Sequence, residues 1–370
     1  MKRLYKEDII DLLYGCTVLG TGGGGSLAQG LEIMQEDFEL NRVLTVVSLS
    51  EIPDDAMVAS PYGCGAPSAA ATEQDRFKKL PHVKGSPAVL AFQALEEFLQ
   101  TKIFAISSTE LGGMNTAEAL HIACLLELPL ADGDPAGRSV PELIHSTFYL
   151  KSKSITPLAV ASKFGDVAIL KDAVSDFRAE DLVRAMACAS GDEISVCDHP
   201  MTGLEYRQSI IPGAISHAWE IGRILRRARR ENIDAASAIA DAMGGAMLFR
   251  GIVTALPWEC RDGFDYGEIH LKGIKEYDGE AYKIIFKNEN LASYRNDRID
   301  VTVPDLICMI DKDGDPMTTP DFRVGDEMNV FALPAPQLWT TAEGLSIFGP
   351  RYFGIDADYI PFKQNRRNDK

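Results

Sequence analysis

Residues 20–26 read Gly-Thr-Gly-Gly-Gly-Gly-Ser, five glycines in six positions. Glycine loses more backbone freedom on folding than any other residue, so such a cluster marks a place where the chain needs positive φ or very close backbone approach. Gly20, Gly22 and Gly25 fit the dinucleotide fingerprint G-x-G-x-x-G. That fingerprint requires a strand running into the turn. Here the preceding residues, YKEDIIDLLYGCTVL, carry Ile9, Ile10, Leu12, Leu13 and Cys16 at three- and four-residue spacing, the period of a helix. The Gly-Lys-Ser/Thr ending of a phosphate-cradling loop is missing too. No nucleotide cofactor is expected. Two readings of Gly22, Gly23, Gly24 and Gly25 remain open: a backbone loop facing a ligand, and a tight connection between helices.

Downstream, apolar runs at 42–49, 56–63, 102–109 and 128–132 read as buried strands, and 86–100 and 114–127 carry helical spacing. Alternating strands and helices predict an N-terminal α/β domain, residues 1–150, with a largely parallel sheet. The texture then changes. A strand pair turning at Gly165–Asp166, a helix over 179–191 and a helical pair over about 211–247 precede short alternating runs over about 266–360. These predict a C-terminal α+β domain, residues 151–365, rich in antiparallel strands. The terminal FKQNRRNDK is expected to fray.

A net charge of −17 argues against a nucleic-acid partner, which would need a basic face. No apolar run reaches the ~20 residues of a membrane span, and the N-terminus lacks a signal-type apolar core. Seven cysteines without a CxxC pair point to reduced thiols and a cytoplasmic protein. A homo-oligomer is expected on general grounds.

Several motifs read as structure. DKDGDP at 311–316 puts glycine at position 4 and Phe322 at position 12, where an EF-hand needs glycine at 6 and glutamate at 12, and reads as a turn between strands. RRARR at 226–230 reads as a solvated helix end. Cys197 and His199 form a C-x-H pair without further ligands at metal spacing. Cys64, between glycines after a strand, reads as a buried small side chain before it reads as a nucleophile. Asn288, Glu289 and Asn290 end a strand, where they either reach a cleft or cap the strand; both readings stay open.

The densest chemistry lies in SSTELGGMN and ADGDPAGRSVPE. Glu110, Asp132 and Asp134 each follow a predicted strand, with Asn115, Arg138 and Glu142 close behind. Carboxylates gathered at the carboxyl rim of such a sheet suit general acid–base work or cation binding.

Seven blocks together, LGTGGGGS (19–26), GCGAPS (63–68), ELGGMNTAEAL (110–120), DGDPAGRSVPEL (132–143), KNENL (287–291), VPDLI (303–307) and FGPRYFG (348–354), resemble the S-methyl thiohydantoin desulfurase family. That family was long a domain of unknown function associated with hydantoinase-type proteins. The resemblance runs from about residue 6 to residue 361. It implies two domains and hydrolysis of a small heterocycle, an S-methylated thiohydantoin, to a hydantoin with release of methanethiol. On that reading Glu110, Asp132 and Asp134 are the catalytic candidates, with Glu110 or Asp132 as general base. Gly22 to Gly25, Asn115, Arg138 and Glu142 are the substrate-binding candidates. A divalent metal on Asp132 and Asp134 is an open variant. The alternatives are a hydantoinase- or oxoprolinase-like cyclic amide hydrolase, and a non-catalytic ligand-binding partner of such an enzyme.

Overall fold

The computed structural model describes residues 1–65, 77–261, 264–319 and 321–363. The last three residues of GCGAPS and most of the C-terminal FKQNRRNDK lie outside that range. A short strand β1 (Lys2–Leu4) precedes helix α1 (Lys6–Leu19), which delivers the chain directly into the glycines. Helix α2 (Leu27–Ile33) leaves them. Ser26 and Gln29 form a capping box, the hydroxyl accepting from Gln29 N–H while the Gln29 side chain accepts from Ser26 N–H, which fixes where the loop stops. The glycines are thus a helix-to-helix connection.

After a short helix α3 (Gln35–Glu39), strands β2 (Leu44–Val47), β3 (Met57–Gly65), β4 (Ile103–Ile106) and β5 (Leu130–Ala131) alternate with helices α4 (Pro87–Leu99) and α5 (Gly113–Leu125). Neighbours β2–β5, β5–β4 and β4–β3 are parallel. Next come β6 (Gly133–Asp134), helix α6 (Thr147–Leu150), the hairpin β7 (Leu158–Ala161) and β8 (Val167–Leu170), helix α7 (Asp176–Ala189) and β9 (Glu193–Thr202). The sheet order is β1-β2-β5-β4-β3-β9-β7-β8, a parallel block extended by antiparallel strands. β9 is absent from the sequence reading. It lies between β3 and β7, antiparallel to both, with Ser60 opposite Asp198.

Helix α8 (Gly203–Ser209) and β10 (Ile211–Pro212), which pairs with β6, lead into α9 (Ala214–Glu231) and α10 (Ala235–Ala242). The expected helical pair ends five residues earlier than 247. Gly244, at φ +67°, turns the chain, and Ala246 already belongs to β11 (Ala246–Ala255). The second sheet adds β12 (Trp258–Arg261), β13 (Phe264–Gly273), β14 (Ala281–Lys287), β15 (Glu289–Arg295), β16 (Arg298–Thr302), β17 (Leu306–Asp311) and β18 (Glu327–Leu333). Its order is β16-β15-β14-β13-β11-β18-β17 with every pair antiparallel, and β12 hydrogen-bonds to β13. The Asp311 carboxylate accepts from the N–H groups of Asp313 and Asp315, so DKDGDP is a self-capped turn.

The largest apolar cluster draws on both halves of the chain: Leu12, Leu13 and Cys16 of α1, Ile215 and Ile221 of α9, and Cys308 and Phe331 of the second sheet. Helices α1 and α9 cross at glycines. A Cβ on Gly15 would stand 1.7 Å from Ala218 O, and one on Gly222 would stand 1.7 Å from Asp11 O. Backbones that close leave no room for a methyl group. Gly222→Val is therefore expected to cost about 1–3 kcal/mol or more through overpacking, read as a lowered midpoint in urea unfolding. An unchanged midpoint would contradict the crossing.

Candidate functional site

The glycine loop is held on three sides by its own carbonyls. Thr21 O accepts from Asn290 N–H (2.9 Å) and Gly22 O from Thr319 N–H (2.8 Å). Gly24 O accepts from Met114 and Asn115 N–H (3.0 and 3.2 Å) at the start of α5. Gly22, Gly24 and Gly25 have φ of +99°, +74° and +77°. Contact explains the rest: a Cβ on Gly23 would sit 1.7 Å from Glu289 Oε1, and one on Gly24 would sit 2.7 Å from the Cα of Gly112. The N–H groups of Gly24 and Gly25 make no backbone hydrogen bond among the described residues.

Beside this loop opens a cavity lined by Gly24, Gly25, Glu110, Asn115, Arg184 and Glu289, with Cys64, Met114 and Glu193 completing its wall. Glu110 follows β4 in the left-handed region, at φ +61°, an unfavourable conformation for a glutamate. Its Oε2 accepts from Asn115 Nδ2 (3.2 Å) and Ser139 Oγ (3.1 Å). Asn115 Oδ1 in turn accepts from Gly63 N–H (3.3 Å), so the amide is held between β3 and the carboxyl group. Glu289 opens β15 and is buried, with Oε2 lacking any hydrogen-bond partner. Asn288 before it, at φ +57°, aims the strand through bonds to and from the backbone of Asp265.

Two buried carboxyl groups in the wall of one cavity cannot both ionise freely. Burial, then the Glu289 charge, holds the Glu110 proton well above the ordinary carboxyl range, against donors Ser139 and Asn115. Burial raises Glu289 from 4.5 to about 8, with the Arg138 guanidinium opposing it. The Arg138 and Arg184 guanidinium groups both favour the charged form of Glu289. Cys64 is buried in the wall, and burial pushes its thiol up to about 12, so it offers no thiolate near neutrality.

The remaining candidates lie elsewhere. Asp132 does not line the cavity; its carboxylate accepts from Ser216 N–H (2.9 Å) and Ser216 Oγ (2.7 Å) and caps the start of α9. Asp134 is fully buried in its own turn, Oδ1 accepting from Ala136 and Gly137 N–H (2.9 and 2.6 Å), and burial raises it to about 6. Arg138 stands behind the loop. Its guanidinium donates to Ser139 O, Pro304 O, Asp305 O, Asn290 O and the Thr21 hydroxyl, the last at 2.7 Å. Glu142 pairs with Lys287 and accepts from Tyr352 OH (2.6 Å). Burial alone would raise it, but His145, Lys287 and Tyr352 outweigh burial and lower it. Among the described residues no group of three or more histidine, cysteine or acidic side chains is arranged to hold a metal.

Sequence reasoning left Glu289 undecided and missed Arg184. Arg184 projects from α7 with Nε on Glu180 Oε1 (2.9 Å) and Nη2 on Pro141 O (2.9 Å), and supplies a cationic wall to the cavity. Its signal in sequence is that of any amphipathic surface helix. The Glu289 reading carries a pH consequence. A carboxyl that binds its proton more tightly when folded favours the fold at low pH, and that contribution is lost as pH rises from 4.5 through about 8. Glu289→Gln, which cannot ionise, is expected to gain stability relative to the parent between pH 5 and pH 9 in urea titrations. A pH-independent difference would place Glu289 in contact with water.

A solved crystal structure of a protein from Chromobacterium violaceum shares the fold, at TM-score 0.80 and 21% identity, over 98% of this chain and 100% of that one. No curated protein matches. The family model described as the S-Me-THD-like N-terminal domain matches residues 7–172, and the S-Me-THD-like C-terminal domain matches residues 174–362. The chain belongs to the S-Me-THD-like family.

Proposed function

We propose that the chain is a hydrolase that replaces the methylthio group of an S-methyl thiohydantoin with oxygen, giving a hydantoin and methanethiol. The observation that carries this reading is the pair of buried carboxyl groups, Glu110 and Glu289, in one cavity against glycine backbone. The hydrolysis needs two proton transfers in opposite senses at each step. Water attacks the carbon bearing sulfur and loses a proton while the ring nitrogen gains one. The tetrahedral intermediate then loses its hydroxyl proton as the departing sulfur gains one. The C–O bond forms, the C–S bond breaks, and the two hydrogens of water end on nitrogen and sulfur.

A carboxyl pair holding one proton, the state reached as pH rises through about 8 where Glu289 ionises, does this and returns to its starting state. Glu289, beside the Arg138 guanidinium, is the base for the attacking water. Glu110 donates from its protonated carboxyl, with Ser139 and Asn115 fixing its other oxygen. Sequence alone read the base as Glu110 or Asp132; the caps on Asp132 support a structural role for it instead. The Gly24 and Gly25 N–H groups, which make no backbone hydrogen bond beside the cavity, are the donors assigned to a ring carbonyl.

The test is methanethiol release from a panel of S-methyl thiohydantoins, with plain hydantoins and a chelator as controls. Glu110→Gln and Glu289→Gln are each expected to lose about 10²–10⁴ in kcat, the worth of positioned acid–base groups. Asp132→Asn is expected to keep turnover within a few-fold while losing about 1 kcal/mol of stability with the weakened cap. Wild-type turnover in both glutamate variants would remove the carboxyl pair from the chemistry. Ring opening of plain hydantoins without thiol release would assign a cyclic amide hydrolase, and loss of turnover on chelation would bring in a metal.

A further inference from the structure

Behind Glu110 lies a second, smaller and more enclosed cavity with room for a water-sized guest. Glu110 belongs to the walls of both cavities. The rear one is otherwise lined by Tyr62, Thr109, His145, Asp198 and His199, with Glu142, Ser146 and apolar side chains. Two of these residues carry buried polar atoms with no hydrogen-bond partner, Thr109 Oγ1 and His199 Nε2, while His145 Nε2 stands 3.9 Å from Glu142 Oε2 and His145 interacts with the Ile347 backbone. Both imidazoles are more than nine-tenths buried. Buried polar groups without partners are rare, and two around one small cavity indicate an ordered water.

The two histidines present opposite chemistry. His145 Nδ1 accepts from Glu142 N–H (3.2 Å), which leaves Nε2 carrying hydrogen. His199 Nδ1 donates to Asp198 Oδ1 (2.8 Å), which leaves a lone pair on Nε2 of the neutral ring. Asp198 Oδ2 accepts from Tyr62 OH (2.7 Å), so the carboxylate is held from both sides. Asp176 of α7 is the further charge that acts on His199. His199 stands at φ +45° and Glu110 at φ +61°, so the two acid–base groups flanking this cavity both sit in the left-handed region. Such strain concentrates where function requires a particular placement.

We propose that this cavity holds one ordered water and that the water, with His199, Asp198 and Tyr62, forms a proton relay to the rear of Glu110. Through it a proton passes from the Glu110 carboxyl to His199 Nε2, giving an imidazolium paired with Asp198, and returns by the same route. Only O–H and N–H bonds form and break. Turnover itself returns the pair to its starting state; the relay lets Glu110 exchange its proton with the rear network while substrate or product fills the front cavity. His199 is a positioning and relay residue, since it does not line the substrate cavity. Its catalytic consequence rests on the proposed desulfurase reading; the water and the exchange route do not.

The experiment has one arm for each. A crystal structure of the chain at high resolution is expected to show a water bonded to His199 Nε2 and Thr109 Oγ1, and a cavity without water overturns the proposal. The variant is His199→Asn, because asparagine tolerates positive φ. In it, hydrogen–deuterium exchange of the protonated Glu110 carboxyl, followed by its infrared carbonyl band with a hydantoin filling the front cavity, is expected to slow about tenfold or more, and kcat for thiol release is expected to fall about tenfold or more with KM unchanged, less than the loss at the carboxyl pair itself. Unchanged exchange overturns the relay whether or not the wild type releases thiol. Unchanged exchange with a lowered melting temperature would leave His199 a purely structural residue. If the wild type releases no thiol while exchange still slows in the variant, the desulfurase reading fails and the relay stands.

Discussion

The guanidinium of Arg138 is the constraint on which the site depends. It is completely buried, and its direct partners are the backbone carbonyls of Ser139, Asn290, Pro304 and Asp305, the last two sharing Nη1, and the Thr21 hydroxyl, none of them charged. Removing an ion from water costs on the order of several kcal/mol, which good hydrogen-bond geometry and a nearby opposite charge must offset. The nearby charge is Glu289, the largest of the influences opposing desolvation of Arg138. Each of those bonds fixes a piece of the site. The bond to Thr21 sets the entry to the glycine loop, the bond to Asn290 sets the strand that carries Glu289, and those to Pro304 and Asp305 anchor the loop before β17. The positions of Glu110, the loop and Glu289 are therefore not independent. They are three consequences of satisfying one buried cation.

The glycines follow from the same geometry. Sequence left a ligand-facing loop and a helix connection as alternatives; the structure makes it a helix connection, with Gly24 and Gly25 in the wall of a cavity. Helix α1 enters, the capping box of α2 closes, and between them the backbone passes within side-chain-free distance of Gly112 and of the Glu289 carboxyl. A strand entering the loop would have aimed its N–H groups at a pyrophosphate on the following helix. Here the carbonyl of Gly24 is spent on the N–H groups that open α5, which removes that helix start as a phosphate site.

Periodicity made the scaffold legible: α1, the early parallel strands, the β7–β8 hairpin and the antiparallel second sheet all carry local patterns that survive without tertiary information. What stayed hidden is what depends on neighbours. β9 reads as a mixed run, EISVCDHPMT, because it packs on both faces yet carries Asp198 and His199 toward a buried polar network. Asp132, Asp134 and Glu110 are indistinguishable in sequence, since a helix cap, an Asx-type turn and a cleft carboxyl all use an acid just past a strand. The difference lies in what faces each one: Ser216 at the start of α9, the N–H groups of Ala136 and Gly137, and an open cavity. Glu289 could be separated from a strand-end cap only by knowing that the second sheet brings β15 against residue 23, a contact between opposite ends of the chain.

The carboxyl pair explains why these acids are buried when exposed ones would ionise more readily. In water two glutamates would both be charged at neutral pH and neither would donate a proton. Enclosure makes the second ionisation costly, so the pair keeps one proton over a range where an isolated carboxyl would have lost it. Arg138 then breaks the symmetry by favouring charge on Glu289, while Ser139 and Asn115 occupy a single oxygen of Glu110 and leave the other to carry hydrogen. Acid and base are thus assigned by surroundings rather than by residue type. On the proposed reading, a pocket of this kind suits a neutral, planar, weakly basic ring, whose nitrogen needs a proton at the moment its neighbouring carbon is attacked. The same burial that sets the pair apart would isolate it from bulk water with a ligand in the front cavity, which is the physical argument for the proposed polar route at its rear.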